Sequence, residues 1–122
     1  MYDNDDKNSK ILVVEDDRDT RNMLSVLLRD NGYTVFSAVD RAEALAILAS
    51  QPDITTVLLD YMMPGPSAIK FIESMGQSHP STRIILITAA NRIKAVSHML
   101  GIRDYLAKPI IAEELLSVLR PQ

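Results

Sequence analysis

Short apolar runs bounded by turn-forming residues recur along the chain, and between them apolar residues fall at helical spacing. Lys10–Val14, Thr34–Ala38, Thr56–Leu59, Arg83–Thr88 and Asp104–Ala107 read as strands, the last being the shortest. The first, third and fourth are continuous in apolar character, as strands buried on both faces are. A helix is predicted from Asp17, a candidate cap with Asp19 in the first turn, to about Asn31. It carries Met23, Leu24, Leu27 and Leu28 on one stripe and is stopped by Asn31-Gly32. Asp40 and Glu43 form a capping box for a helix burying Ala44, Leu45 and Leu48. A third helix fits Ser67–Met75 with Ile69, Phe71 and Ile72 turned inward, bounded by Gly76 and Pro80. A fourth, at about Arg92–Leu100, carries Ile93, Val96 and Leu100 and ends at Gly101. Ala112–Leu119 closes the series with Leu115, Val118 and Leu119 on one face.

Strands alternating with helices predict an α/β fold: a parallel sheet with helices on both faces and right-handed crossovers. The expected form is a doubly wound (βα)5 unit with strand order 2-1-3-4-5, flavodoxin-like in architecture. The chain, 122 residues long, is enough for one domain, placed at 10–120, with residues 1–9 expected to form a disordered polar tail. The absence of cysteine excludes disulfides, thiolate metal sites and cysteine nucleophiles. The start MYDNDDKN does not resemble a signal peptide, and no apolar run approaches the roughly 20 residues of a membrane span. A soluble, cytoplasmic protein is the expectation. The net charge of −3, without a basic stripe, argues against direct nucleic-acid binding.

The strand ends carry the chemistry. The first strand leads into Glu15 and Asp16, the third into Asp60, the fourth ends in Thr88 and the fifth leads to Lys108. In a parallel sheet these ends share one edge, where open α/β sheets place their ligands. Taken singly, each residue has a plainer reading: helix capping for Glu15, Asp16 and Asp17, a loop cap for Asp60, a β-branched strand residue for Thr88, a solvated lysine for Lys108. Together they converge three carboxylates, a hydroxyl and an amine on one pocket. Carboxylates so close repel, and a hard divalent cation such as Mg²⁺ relieves the repulsion through oxygen ligands. Asp60, kept ionised, then becomes a nucleophile able to form an acyl phosphate, and Lys108 and Thr88 supply a cation and a donor to the phosphoryl group.

Through ILVVEDD, LLDYMMPG, ILITAA and DYLAKP, in this order from Lys10 to Leu119, the chain resembles the receiver domain of two-component response regulators, including single-domain chemotaxis regulators. The resemblance implies Asp60 as phosphoacceptor, with Asp16 and Asp60 binding Mg²⁺ directly, the Met62 backbone carbonyl as a further ligand and Glu15 acting through water. It also implies that Thr88, Lys108 and the Ala89 backbone N–H hold the phosphoryl group, that Lys108-Pro109 is cis, and that Tyr105 acts with Thr88 as the switch. The implied partners are a histidine kinase or histidine phosphotransfer protein and an unidentified effector, reached through the fourth helix, fifth strand and fifth helix. The expected state is a monomer or a weak phosphorylation-dependent dimer. Such a protein is a self-phosphorylating acceptor rather than an enzyme acting on a separate substrate.

Two departures stand out. Pro66-Ser67-Ala68 follows MPG where a hydrophobic residue, Asp and Gly are usual, and the stretch from Thr88 to Gly101 is slightly short. His79 and His98 fall away from the acidic pocket and are assigned surface or packing roles. A constitutive docking module of the same fold, without phosphoryl chemistry, is the alternative. A flavodoxin-like cofactor protein fits less well, because the first strand leads to acids and not to a phosphate-binding loop. Whether the unit stands free or belongs to a hybrid kinase or multidomain regulator is not written in these residues.

Overall fold

The computed structural model describes residues 9–63, 67–89, 91 and 93–120. The apolar runs form β1 (Lys10–Val14), β2 (Thr34–Ala38), β3 (Ile54–Asp60), β4 (Arg83–Thr88) and β5 (Asp104–Ala107). Between and after them lie α1 (Arg18–Asp30), α2 (Arg41–Ser50), α3 (Ala68–Ser78), α4 (Ile93–Leu100) and α5 (Ala112–Leu119). Every strand pair is parallel, as the alternation predicts, and the order is the expected β2-β1-β3-β4-β5. β3, the middle strand, begins at Ile54 rather than Thr56. The Thr55 hydroxyl donates to the Lys10 carbonyl where the β1–β3 register shifts, so the pairing extends below the apolar run.

The pleat sends alternate residues to opposite faces. Ile11, Val13, Leu58, Ile85, Ile87 and Leu106 pack with Leu24, Leu28, Leu115 and Leu119 from α1 and α5. Leu12, Val14, Val57 and Leu59 pack with Ala44, Leu48, Phe71 and Met75 from α2 and α3. Both faces of the central strands are therefore consumed by the core, and their ends remain for chemistry.

Three helices turn differently from the predicted stripes. On α1 the buried set is Leu24, Ser25 and Leu28, and Met23 is exposed. Ser25 fits because its hydroxyl donates to the Arg21 carbonyl one turn back. On α2, Arg41, Ala44 and Leu48 are buried and Leu45 is exposed. On α3 it is Ala68, Phe71 and Met75, with Ile69 exposed and Ile72 half-buried. In each case contact geometry selected spacings of three and four, whichever neighbouring residue was the more apolar.

Helix ends follow local chemistry closely. Asp17 accepts from Thr20 N and the Thr20 hydroxyl, and these bonds hold its carboxyl below the usual range. Asp40 accepts from Glu43 N, while the Glu43 carboxylate reaches back to Val39 N, one residue before the usual target of a capping box. Gly32 (φ 92°) and Gly101 (φ 74°) close α1 and α4 in the left-handed region. In each, the glycine N–H and the next N–H return to the last turn: Gly101 N to His98 O and Ile102 N to Ser97 O, with the same pattern at Gly32 and Tyr33. Gly76 does not stop α3, which continues to Ser78 with His79 at its C-cap. The His79 ring bridges the Leu48 carbonyl and the Ser78 hydroxyl, a packing role, and His98 is exposed on α4.

Ser9, assigned to the tail, accepts a hydrogen bond from Thr34 N. Residues 1–8, Pro64-Gly65-Pro66, Ala90, Arg92 at the predicted start of the fourth helix, and Pro121-Gln122 lie outside the described residues. Among the described residues no helix is long and apolar enough to cross a membrane.

Candidate functional site

Parallel pairing brings Glu15, Asp16 and Asp60 to one edge of the sheet, each offering a carboxylate oxygen within 4.8 Å of the others. Glu15 and Asp60 are almost wholly buried, at 1% and 2% exposure, and Asp16 is exposed. Such burial of two acids needs a compensating charge. Lys108 supplies it: its Nζ lies 2.8 Å from Glu15 Oε1 and 3.1 Å from Asp60 Oδ2. Burial alone would lower the lysine's pKa, but the two carboxylates outweigh it and raise the value.

Backbone groups fix the remaining oxygens. Met62 N donates to Asp60 Oδ1 at 3.0 Å, and Asp17 N donates to Glu15 Oε2 at 3.1 Å. Glu15 Oε1, though close to Lys108, has no hydrogen bond in good alignment and is held by charge rather than by a directed bond. Lys108 N donates to the Thr88 carbonyl at 2.9 Å, which ties the lysine to the end of β4, and the Lys108-Pro109 peptide is cis. From α1, Arg21 Nη1 donates to the carbonyls of Glu15 and Asp16 at 2.9 and 3.3 Å, pinning the acidic loop from behind.

The other anticipated residues stand around this cluster. Thr88 is wholly buried, one position beyond Ile87, the β4 partner of Asp60. Ala89 follows and is exposed, and so is the Met62 side chain at 63%. Tyr105 pairs with Leu86, and Ala107 with Thr88, so Thr88 and Tyr105 share a face as diagonal neighbours. The tyrosine lines two hollows: one of about 510 Å³ toward α5, with Glu113 and Val118, and one of about 730 Å³ toward α4, with Lys94 and His98.

Two arginines escaped the sequence reading. Arg21 carries no signal beyond its place in a first helical turn. Arg41 does: it lies three residues before Ala44 and seven before Leu48, on the stripe that α2 buries. Its Nη2 donates to the Tyr61 carbonyl at 2.9 Å. Burial pushes the guanidinium's pKa down, with Asp60 and Tyr61 partly offsetting the shift.

Chemically, three carboxylates whose oxygens converge within 4.8 Å suit a hard divalent cation. The same edge presents a buried carboxylate with an ammonium against it, the elements of anionic group transfer.

Relatives agree with this geometry. A model of the response regulator receiver domain matches residues 11–120. The chain is 36% identical over 113 residues to the transcriptional regulatory protein CpxR of Klebsiella pneumoniae, covering 92% of this chain and 48% of CpxR. It is 38% identical over 114 residues to the response regulator MprA of Mycobacterium ulcerans, covering 91% and 48%. The chain thus spans about half the length of the curated relatives it matches. Among solved structures, the Vibrio cholerae chemotaxis protein CheY4 superposes with a TM-score of 0.80 at 30% identity, covering 92% of this chain and 96% of CheY4. The receiver domain of an HD-domain protein from Pseudomonas fluorescens Pf-5 gives 0.82 at 30%, covering 92% and 91%. With the fold, the acidic edge and the family model in agreement over nearly the same span, this chain belongs to the response-regulator receiver family.

Proposed function

We propose that the domain takes a phosphoryl group onto Asp60 from a phosphohistidine of a kinase or phosphotransfer partner and in doing so changes the surface it offers to an effector. The observation that carries this reading is the state of Asp60: a buried carboxylate at the end of the central strand, with Oδ1 fixed by a backbone N–H and Oδ2 by Lys108. The carboxylate attacks phosphorus, the P–N bond breaks, and its electron pair leaves with the imidazole nitrogen. Asp16, Asp60 and the Met62 carbonyl, with Glu15 through water, would hold Mg²⁺, which would supply the charge neutralisation that phosphoryl transfer demands. Lys108 and Thr88 then face the new phosphoryl oxygens together with the Ala89 N–H, the ammonium trading a carboxylate for a phosphate.

The two hollows beside Tyr105 give its ring somewhere to go. As Thr88 moves toward the phosphoryl group, its diagonal neighbour rotates, and the α4-β5-α5 surface changes with it. Receiver activity of this kind is the proposed contribution of residues 10–120 to whatever protein carries them.

Exposure to an acyl phosphate in Mg²⁺ is expected to label the wild type and to leave Asp60→Asn unlabelled, as intact-mass spectrometry will show. An Asp60→Asn protein that still gains one phosphoryl group would place the acceptor elsewhere. Thr88→Ala is expected to accept phosphate yet to lose the phosphorylation-dependent change in amide exchange along α4. Identical protection changes in Thr88→Ala and wild type would end the proposed switch route.

A further inference from the structure

One peptide group links the phosphoacceptor to a buried cation that none of the strand ends supplies. Met62 N, which donates to Asp60 Oδ1 at 3.0 Å, and the Tyr61 carbonyl, which accepts from Arg41 Nη2 at 2.9 Å, belong to the same planar amide. Because the unit is rigid, fixing the carbonyl also fixes the direction of the N–H. We infer that Arg41 is a positioning residue for Asp60, setting the carboxylate's orientation through the Tyr61–Met62 peptide; this deepens the reading of Asp60 as phosphoacceptor and rests on it.

Three further observations support the assignment. Arg41 is only 3% exposed, so its guanidinium does not wander in solvent. It opens α2 immediately after the Asp40 cap, so the backbone from which it reaches is itself anchored. A cavity of about 450 Å³, bounded by Arg41, Tyr61, Met62, Met63, Ser67 and Ala68, adjoins the link and leaves the peptide room to rotate once the guanidinium is gone. A charged donor on the carbonyl also polarises the amide, which strengthens the N–H as a donor to the carboxylate. Without that hold, Oδ1 loses its partner and Asp60 is free to turn toward Lys108. The Met62 carbonyl, on the next peptide, loses its direction as well.

Arg41→Met keeps the apolar stem and removes the donor, so it separates packing from positioning. Two quantities are read: amide exchange at Met62 against that of β1 and β3, and the rate of labelling by acetyl phosphate in Mg²⁺. Met62 exchange is expected to rise and labelling to slow, each about tenfold, at the low end of what losing a ligand-orienting group costs. Core amides should stay protected. Should the methionine variant fail to fold, Arg41→Lys is read the same way with an expected effect of about threefold, since a lysine offers the carbonyl a cation without the planar fork. Unchanged exchange at Met62 would overturn the inference, and so would faster exchange with an unchanged labelling rate, which would leave Arg41 a purely structural tie. A wild type that acetyl phosphate fails to label overturns the phosphoacceptor reading instead, while Met62 exchange still decides whether Arg41 orients this peptide.

Discussion

Lys108→Met is expected to lose about 3 kcal/mol of stability at neutral pH in chelator, the low end of what removing one partner of a buried ion pair costs. The low end applies because the lysine side chain is 24% exposed, while those of Glu15 and Asp60 are at 2% and 3%. The variant leaves those two carboxylates facing each other without a cation. Mg²⁺ should return part of the loss, because a divalent ion among the three acids replaces the missing charge. In the wild type the lysine's pKa is raised by folding. Its contribution is therefore complete below the ordinary lysine value of about 10.4 and fades as pH climbs through the folded value. Urea titrations from neutral to strongly alkaline pH should show that decline in the wild type and a shallower one in Lys108→Met. Equal stability of the two proteins in chelator would mean that the ammonium does not compensate the acids at all.

Asp16→Ala is expected to behave in the opposite way, silent in stability and severe in chemistry. Asp16 is exposed and its carboxylate makes no hydrogen bond or ion pair among the described residues, so in chelator the variant should lie within about 0.5 kcal/mol of wild type. The oxygen it contributes to the acidic cluster is another matter. Wild type in Mg²⁺ at ten times its dissociation constant gains about 1.4 kcal/mol by mass action, and the variant should gain almost none. Labelling by acetyl phosphate should fall below detection. Retention of both the Mg²⁺-dependent gain and the labelling would remove Asp16 from the ligand set.

These two residues also show what the sequence could and could not convey. The alternation of apolar runs with helical stripes pointed to a parallel sheet, because parallel strands need crossovers, while the order 2-1-3-4-5 came from its being a common five-stranded solution. The same logic put Glu15, Asp16, Asp60 and Lys108 on one edge, and there Lys108 pairs with Glu15 and Asp60 while the three carboxylates converge. Side-chain partnership was less legible. Nothing in the order of residues says that the Lys108 ammonium lies against both Glu15 and Asp60, since that depends on distances between the ends of separate strands. Arg41 is hidden from apolarity as a guide to the stripe of α2, because a buried arginine is apolar only along its stem. Met23, Leu45 and Ile69 mislead by the same criterion: each is apolar yet exposed, beside the stripe rather than on it.

The acidic edge is assembled from Glu15 near the beginning of the sheet and Lys108 just past its last strand, with Asp60 between them. β1 pairs with β3 across some forty intervening positions, Leu12 against Val57, so even the first two acids meet only after a long loop has closed. During synthesis, a growing chain exposes its nucleophile long before the ammonium that balances it has been made. Two acids buried without that cation disfavour the compact state, so early fragments have little incentive to close around Asp60. On the proposed reading, the pocket around Asp60 is thus completed only when Lys108, just past the final strand, has been made.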